Sequence, residues 1–387
     1  MSAGQPMPAG QRSRYGWRLA SVGGIPVFIG RSWPIIAIVI VVTFGPQVTN
    51  PTTFERGGSF GFAVALAYAL VLLFSVLAHE AAHAVTARRL GHRVDRVVAD
   101  LWGGHTVYDG GRPRPGASAA IAVVGPVANL AIAGVGYGLQ GVFPDGFVGL
   151  LLSALTLSNL FVGVFNLLPG LPLDGGFIVD ALVWKVTGDR NKGMISAGWL
   201  GRILTVTVIL IIVGLPLLRG QQPSLYTIVY CGLIGAFMWA GATGAIRAGS
   251  SGRRIARVPL ARVLRPIALA GVGESIAQAM SRIGPLPGAV IALDPSGRPV
   301  GVVDIGAANA VDAAHRAGVS VSSVVARQPE GWVVVADPMS DVSGVVSAIV
   351  ARVNEPDGMP KLVLVTDAGG RLLGTVSLDD LDAALGG

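Results

Sequence analysis

Cysteine is almost missing. Cys231 is the single one, and it falls in a hydrophobic run, so an intrachain disulfide and a cysteine-based zinc cluster are both excluded. Charge is also scarce, at 13% of residues against about 25% in soluble proteins. With 52% hydrophobic residues and a mean hydropathy of +0.63, the chain is not an ordinary water-soluble globule throughout. Histidine is rare as well, with 5 in 387 residues, so a patterned pair of them is informative. The net charge of +7 does not imply a nucleic-acid partner. Most arginines flank apolar runs, where membrane topology accounts for them. The N-terminal segment is polar and rich in Gly and Pro, and the first apolar run reads as a retained span rather than a cleaved signal peptide.

The abundance lies in long apolar runs. The stretch 25–48 holds a first span, beginning after Arg31 and Trp33, and 62–88 a second. A short loop with Glu55 and Arg56 separates them. Further spans are expected at 117–139, 148–168, 199–218 and 226–246, the fourth breaking at Asn166–Gly176, NLLPGLPLDGG, where Pro and Gly cannot continue a helix. Between the second and third spans, alternating apolar residues and Gly103-Gly104 indicate short strands. Basic residues crowd the N-terminal tail (Arg12, Arg14, Arg18), the loop after the second span (Arg88 to Arg114), the loop at Lys185–Lys192, and the segment from Arg247. The positive-inside rule then gives about six spans, with both termini cytoplasmic, in the plasma membrane.

The second span carries His79, Glu80 and His83 as H-E-x-x-H. Residues four apart share a helix face, so both imidazoles can reach one ion, with Glu80 beside them to take a proton from water. So few His and Glu residues make a chance match rare. Burying these groups in an apolar span is costly without a task. At helical rise, His83 lies ~8 Å and His79 ~14 Å from the level of Arg88. Two histidines leave a zinc ion short of one protein ligand, with a further position open to water. His92, His105 and Asp174 are the candidates for it. Asp174 is preferred, since it follows a span whose cytosolic end lies level with His83 and sits on irregular backbone; its competing reading is a helix cap.

From about residue 257 charge returns and apolar runs shorten to strand length. Asp294-Pro-Ser-Gly297-Arg298 is repeated as Asp367-Ala-Gly-Gly370-Arg371, each after an apolar strand and each preceded by a helical pattern. This predicts a soluble α/β domain at 257–387, built of two helix-hairpin repeats at about 257–315 and 320–387, after a membrane domain at 1–250.

HEAAH at 79–83, GPVAN at 125–129 and NLLPGLPLDGG at 166–176 resemble the three motifs of the site-2 protease family of intramembrane zinc metalloproteases. The duplicated unit resembles a tandem CBS domain, and the bacterial subgroup of the family joins the two. The resemblance implies a three-helix catalytic core and one Zn2+ per chain held by His79, His83 and Asp174, with Glu80 as base. It also implies substrate contacts at Asn129, Gly103, Gly104 and Asn166. The reaction implied is cleavage of a transmembrane segment near the cytosolic side. Anti-sigma factors and signal-peptide remnants are the implied substrates, and a homodimer through the CBS pair the implied assembly. In CBS modules a G-x-x-[ST]-x-x-D pattern often holds adenosine ligands. Gly374 to Asp380 matches it and points to an adenine nucleotide at Ser377 and Asp380; Gly301 to Ala307 lacks both the hydroxyl and the carboxylate. The rival reading is a CBS-regulated divalent-metal transporter or channel with His79, Glu80, His83 and Asp174 as a transit site.

Overall fold

The computed structural model describes residues 16–22, 24–48, 59–100, 103–109, 114–282, 288–329, 331–350 and 362–386. The basic tail at Arg12 and Arg14, the loop at Glu55 and Arg56, and Arg112 lie outside them. The chain divides into two compact units, Met1–Gly249 and Ser250–Gly387.

The first unit begins with strands β1 (Trp17–Val22) and β2 (Ile25–Ile29), then helices α1 (Trp33–Val48) and α2 (Ser59–Arg89). Strands β3 (Arg93–Asp100) and β4 (Gly103–Asp109) follow, then α3 (Pro115–Gln140), α4 (Gly146–Asn166), α5 (Asp174–Thr187) and α6 (Arg190–Ile209). A π turn at Leu210–Gly214 leads into α7 (Leu215–Leu218), and α8 spans Leu225–Ile255. Among the described residues, five helical segments are long and apolar enough to cross a membrane: 61–89, 115–140, 146–166, 190–218 and 225–255. The first expected span corresponds to α1, which is apolar but shorter.

Two differences from the sequence reading stand out. The strands expected between the second and third spans join a larger sheet of order β1-β2-β3-β4. There β2 and β3 pair in parallel (Val27 opposite Val97) although about 70 residues separate them. The polar segment expected after the fourth span is instead mostly helix, α5. At 14 residues, opening on Asp174-Gly175-Gly176, it is too short to stand out as a span, and packing against α6 helps hold it as helix.

The sheet is anchored on the metal-motif helix. Ile25, Val27 and Val97 pack with Ala84 of α2, one residue past His83. The β-branched side chains suit a half-buried pleat, and Ala84 lets the sheet approach the helix closely. Strand β4 remains an edge of the sheet.

The broken segment after α4 is clasped by other helices. Leu171 N donates to Ala197 O of α6 (3.1 Å). A β-carbon on Gly201 would strike the Leu171 carbonyl and lie 3.2 Å from the β-carbon of Ala242. One on Gly241 would lie 2.7 Å from Pro172. Small residues at these points let the loop backbone lie directly on α6 and α8.

The second unit holds α9 (Leu260–Val263), β5 (Ile267–Gly271), α10 (Ile276–Arg282), β6 (Ala289–Leu293), β7 (Pro299–Val303), α11 (Ile305–Ala310) and β8 (Val325–Arg327). A matching half follows: β9 (Val333–Val335), α12 (Ser343–Val350), β10 (Leu362–Thr366), β11 (Leu372–Ser377) and α13 (Leu378–Gly386). The sheets run β5-β6-β7-β8 and β11-β10-β9. The repeated Asp-x-x-Gly-Arg forms the same turn twice. Asp294 Oδ1 accepts from the amides of Ser296 and Arg298, and Asp367 Oδ1 from those of Gly369 and Arg371. Gly297 and Gly370 both adopt φ +81°, open to glycine at no steric cost. Ile291, Trp332 and Leu364 form a buried cluster between the two halves.

Gly201→Ala is expected to lower stability by about 1–3 kcal/mol, the cost of overpacking. Gly138→Ala, where a β-carbon meets open space on the same unit, should be neutral or gain about 0.5–1 kcal/mol. Thermal unfolding in detergent compares them, and equal midpoints would show that the clasp is not tight.

Candidate metal centre

His79 and His83 stand one turn apart on the buried face of α2, with Ser75 one turn before them. Each imidazole is held from behind. His83 Nδ1 donates to the Ile121 carbonyl of α3 (2.6 Å), and His79 Nδ1 meets Asn129 Oδ1 of the same helix (2.5 Å). The rings meet edge to face, with centroids 4.7 Å apart. Both Nε2 atoms therefore turn to one point, 3.0 Å from each other.

Asp174 arrives at that point as the first residue of α5. Its Oδ2 lies 3.0 Å from His79 Nε2 and 3.5 Å from His83 Nε2. That oxygen is buried and accepts no hydrogen bond. The glycines of PLDGG make the placement possible. A β-carbon on Gly175 would lie 2.6 Å from the Leu167 carbonyl carbon, and one on Gly176 would lie 2.7 Å from Leu171 Cα. The loop thus folds back onto the first turn of α5 and aims Asp174 at α2. The competing helix-cap reading is not what is seen, because Asp174 is already helical and Leu173 occupies the cap position.

Glu80 is buried beside the histidines, and ligand atoms of His79, Glu80 and His83 lie within 4.8 Å of one another. Two imidazole nitrogens and a carboxylate oxygen are an ordinary zinc donor set. Donors about 2.0–2.2 Å from one tetrahedral ion lie about 3.3 Å apart, close to the spacing of these three atoms. The residues fit a zinc ion.

The other expected residues divide. His92 lies in the turn after α2, and His105 is a β4 residue opposite Val98. Gly103 and Gly104 open β4 opposite Asp100 and Ala99. Asn166 ends α4, partly exposed, ahead of the broken segment. Asn129, expected to touch substrate, is instead fully buried at 0% exposure, with its amide oxygen on His79 and its amide nitrogen on Asn159 (2.7 Å). Its side chain is committed to the histidine.

In the second unit, Ser377 caps α13, its Oγ accepting from Asp380 N (3.1 Å) and donating to Asp380 Oδ2 (2.8 Å). Arg265 grips the same carboxylate, with Nη2 to Oδ1 at 2.6 Å. The Arg265 guanidinium and then the Ser377 hydroxyl hold the Asp380 carboxyl below its usual range. Asp304 holds the cap position in the first repeat.

Sequence reasoning missed Gly125, Ser75 and Asn159. A β-carbon on Gly125 would press on His83 Nε2 and lie 2.6 Å from His79 Nε2, so the glycine keeps α3 clear of the site. Its signal was the same GPVAN motif that supplied Asn129. Asn159 could have been noticed as an amide within an apolar span.

Gly125→Ala is expected to place a methyl group on the two coordinating nitrogens and abolish stoichiometric zinc in the folded protein. Metal analysis alongside circular dichroism tests this, and full zinc in that variant would place the ion elsewhere.

Residues 143–211, which include Asp174, match peptidase family M50. The Synechocystis protein sll0528 is 32% identical over 187 residues, 48% of each chain. Rip3 of Mycobacterium tuberculosis is 35% identical over 221 residues, 54% of each chain. Both are described as a "Putative zinc metalloprotease". Zinc metalloprotease MJ0392 of Methanocaldococcus jannaschii is 29% identical over 198 residues, 51% of this chain and 53% of its own. The chain thus spans about half the length of the curated relatives it matches. Among solved structures, the site-2 protease from Methanocaldococcus jannaschii aligns at 26% identity and a TM-score of 0.43, covering 60% of this chain and 96% of that one. The CBS domain of the bacterial CNNM/CorC family Mg2+ transporter aligns at 16% identity and a TM-score of 0.26, covering 38% and 92%. Residues 143–211 thus match peptidase family M50, and about half of the chain is similar to proteins described as zinc metalloproteases.

Proposed function

We propose that the chain is an intramembrane zinc endopeptidase that cuts a transmembrane segment of a partner protein near the cytosolic side. One observation carries the reading: His79, His83 and Asp174, from two helices far apart in sequence, bring their ligand atoms within 3.0–3.5 Å of one another. They would hold the ion. Zinc bound there would polarise the scissile carbonyl and lower the pKa of water to about 7.

Glu80 takes the proton of the attacking water and passes it to the leaving amine as the C–N bond breaks. The edge of β4 at Gly103-Gly104 pairs with the unwound substrate as an added strand, exposing a peptide bond that a helix would shield. Asn166 lies at the mouth of the broken segment as a further substrate contact. Asn129 acts on His79 rather than on substrate.

Basic residues at the ends of α2 (Arg88, Arg89) and α8 (Arg253, Arg254), with Lys185 in the last turn of α5 and Arg190 at the start of α6, support a plasma-membrane protein with cytoplasmic termini. Membrane-anchored regulators such as anti-sigma factors, or signal-peptide remnants, are the substrate class we assign, and the CBS pair is the regulatory and dimer-forming unit. An adenine nucleotide at Ser377 and Asp380 requires Asp380 to exchange Arg265 for a ribose hydroxyl.

Glu80→Gln should fold and keep its zinc while cleavage of a reconstituted transmembrane substrate falls by about 10²–10⁴-fold. Normal turnover by that variant removes the reading. Weakly held, exchangeable metal with flux in liposomes would favour transport instead. In titrations of the purified protein with ATP, Arg265→Ala should tighten binding severalfold, and equal weak binding by both forms would leave the second unit without a nucleotide there.

A further inference from the structure

His83 is oriented by a backbone carbonyl, but His79 is oriented by another side chain, whose own orientation must come from somewhere. Asn129 can present either its oxygen or its NH2 to His79, and the choice decides which imidazole nitrogen carries the proton. Asn159 of α4 and Ser75 of α2 settle that choice.

Asn159 is completely buried and Ser75 is 1% exposed, in helices whose neighbours are apolar. Asn159 Nδ2 donates to the Leu155 carbonyl (2.8 Å) and to Ser75 Oγ (2.7 Å). Ser75 Oγ donates in turn to the Val71 carbonyl (2.9 Å). Carbonyl oxygens only accept, so both ends of this chain have a fixed direction. With its NH2 committed to Leu155 and Ser75, Asn159 offers its oxygen to Asn129 Nδ2 at 2.7 Å. Asn129 must then turn its own oxygen to His79. His79 must hold its proton on Nδ1 and keep the lone pair of Nε2 pointed at Asp174 and His83.

We propose that Asn159 and Ser75 are positioning residues that set the tautomer of His79 through Asn129, readying its Nε2 for the metal. The proposal rests on the zinc-site reading above. Without Asn159, the Asn129 amide is free to turn over, and its NH2 then selects the opposite tautomer, with a proton on Nε2 where the ion must sit. Partners one step behind a ligand typically alter metal affinity by about 10–100-fold. Two steps behind, the lower end of that range is expected.

The test uses the full chain in detergent. Asn159→Leu removes the relay while keeping the branched skeleton and the number of side-chain heavy atoms. Its zinc affinity, from competition with a chelator, should fall about tenfold, and the visible spectrum of the cobalt-loaded protein should change. In the zinc-free protein, ¹⁵N-histidine spectra should show His79 as the Nδ1–H form in wild type and as a mixture in Asn159→Leu. Adding Asn129→Asp to Asn159→Leu should restore both readouts, because a carboxylate can only accept from His79 whichever oxygen faces it. A purely structural role for Asn159 predicts no such rescue. Asn159→Ser, which retains a hydroxyl for Leu155 but cannot reach Asn129, carries the same comparison if the leucine variant does not fold. Unchanged affinity and tautomer in the folded variants, or a loss that Asn129→Asp leaves in place, overturns the proposal. Failure of the wild-type chain to bind zinc would instead strike the site reading, while the zinc-free spectra still report on the relay.

Discussion

The structure depends on three lone pairs aimed at one point in an apolar interior. Two imidazole Nε2 atoms and Asp174 Oδ2 lie within 3.0–3.5 Å, and with both Nδ1 positions bonded from behind, neutral imidazoles have only lone pairs to present there. Such an arrangement is unfavourable unless a cation satisfies all three. Much of the first unit can be read as the framework that holds this convergence in place. The sheet packs on Ala84, α3 supplies the Ile121 carbonyl and keeps Gly125 bare of a side chain, and the PLDGG turn delivers the carboxylate.

That framework explains an otherwise odd distribution of residue types. Glycines fall where one backbone lies on another or on the imidazoles, and amides fall where a polar chain must cross between apolar helices. Hydrogen bonds between membrane helices contribute modestly each, commonly under 2 kcal/mol. Their value at Ser75, Asn159 and Asn129 lies in direction more than in strength. The second unit follows a different economy. Its two halves repeat one turn, with an Asp carboxylate collecting two amides and a glycine at positive φ.

Local chemistry was legible where it had a short period. The four-residue spacing of His79 and His83, the break at NLLPGLPLDGG, the long apolar helices and the twin Asp-x-x-Gly-Arg turns each follow from a few adjacent residues. The helix α5 was not legible, because it is only 14 residues long and opens on Asp174-Gly175-Gly176 directly after a proline-rich break. At Ser377 and Asp380 the spacing showed the motif but not its partners: the pair also forms a helix cap and an ion pair with Arg265, a residue 115 positions away.

By itself the amino-acid order determined which groups could do chemistry: two imidazoles on one helix face, a carboxylate after a helix break, and a glutamate alongside. It could not say which nitrogen each imidazole would offer, that Asn129 would serve His79, or that Gly125 would lie against both rings. Those outcomes belong to the tertiary structure, because they depend on contacts between helices tens of residues apart. There a carbonyl or amide is oriented by whatever faces it across the interface, and nothing in the local sequence records that partner.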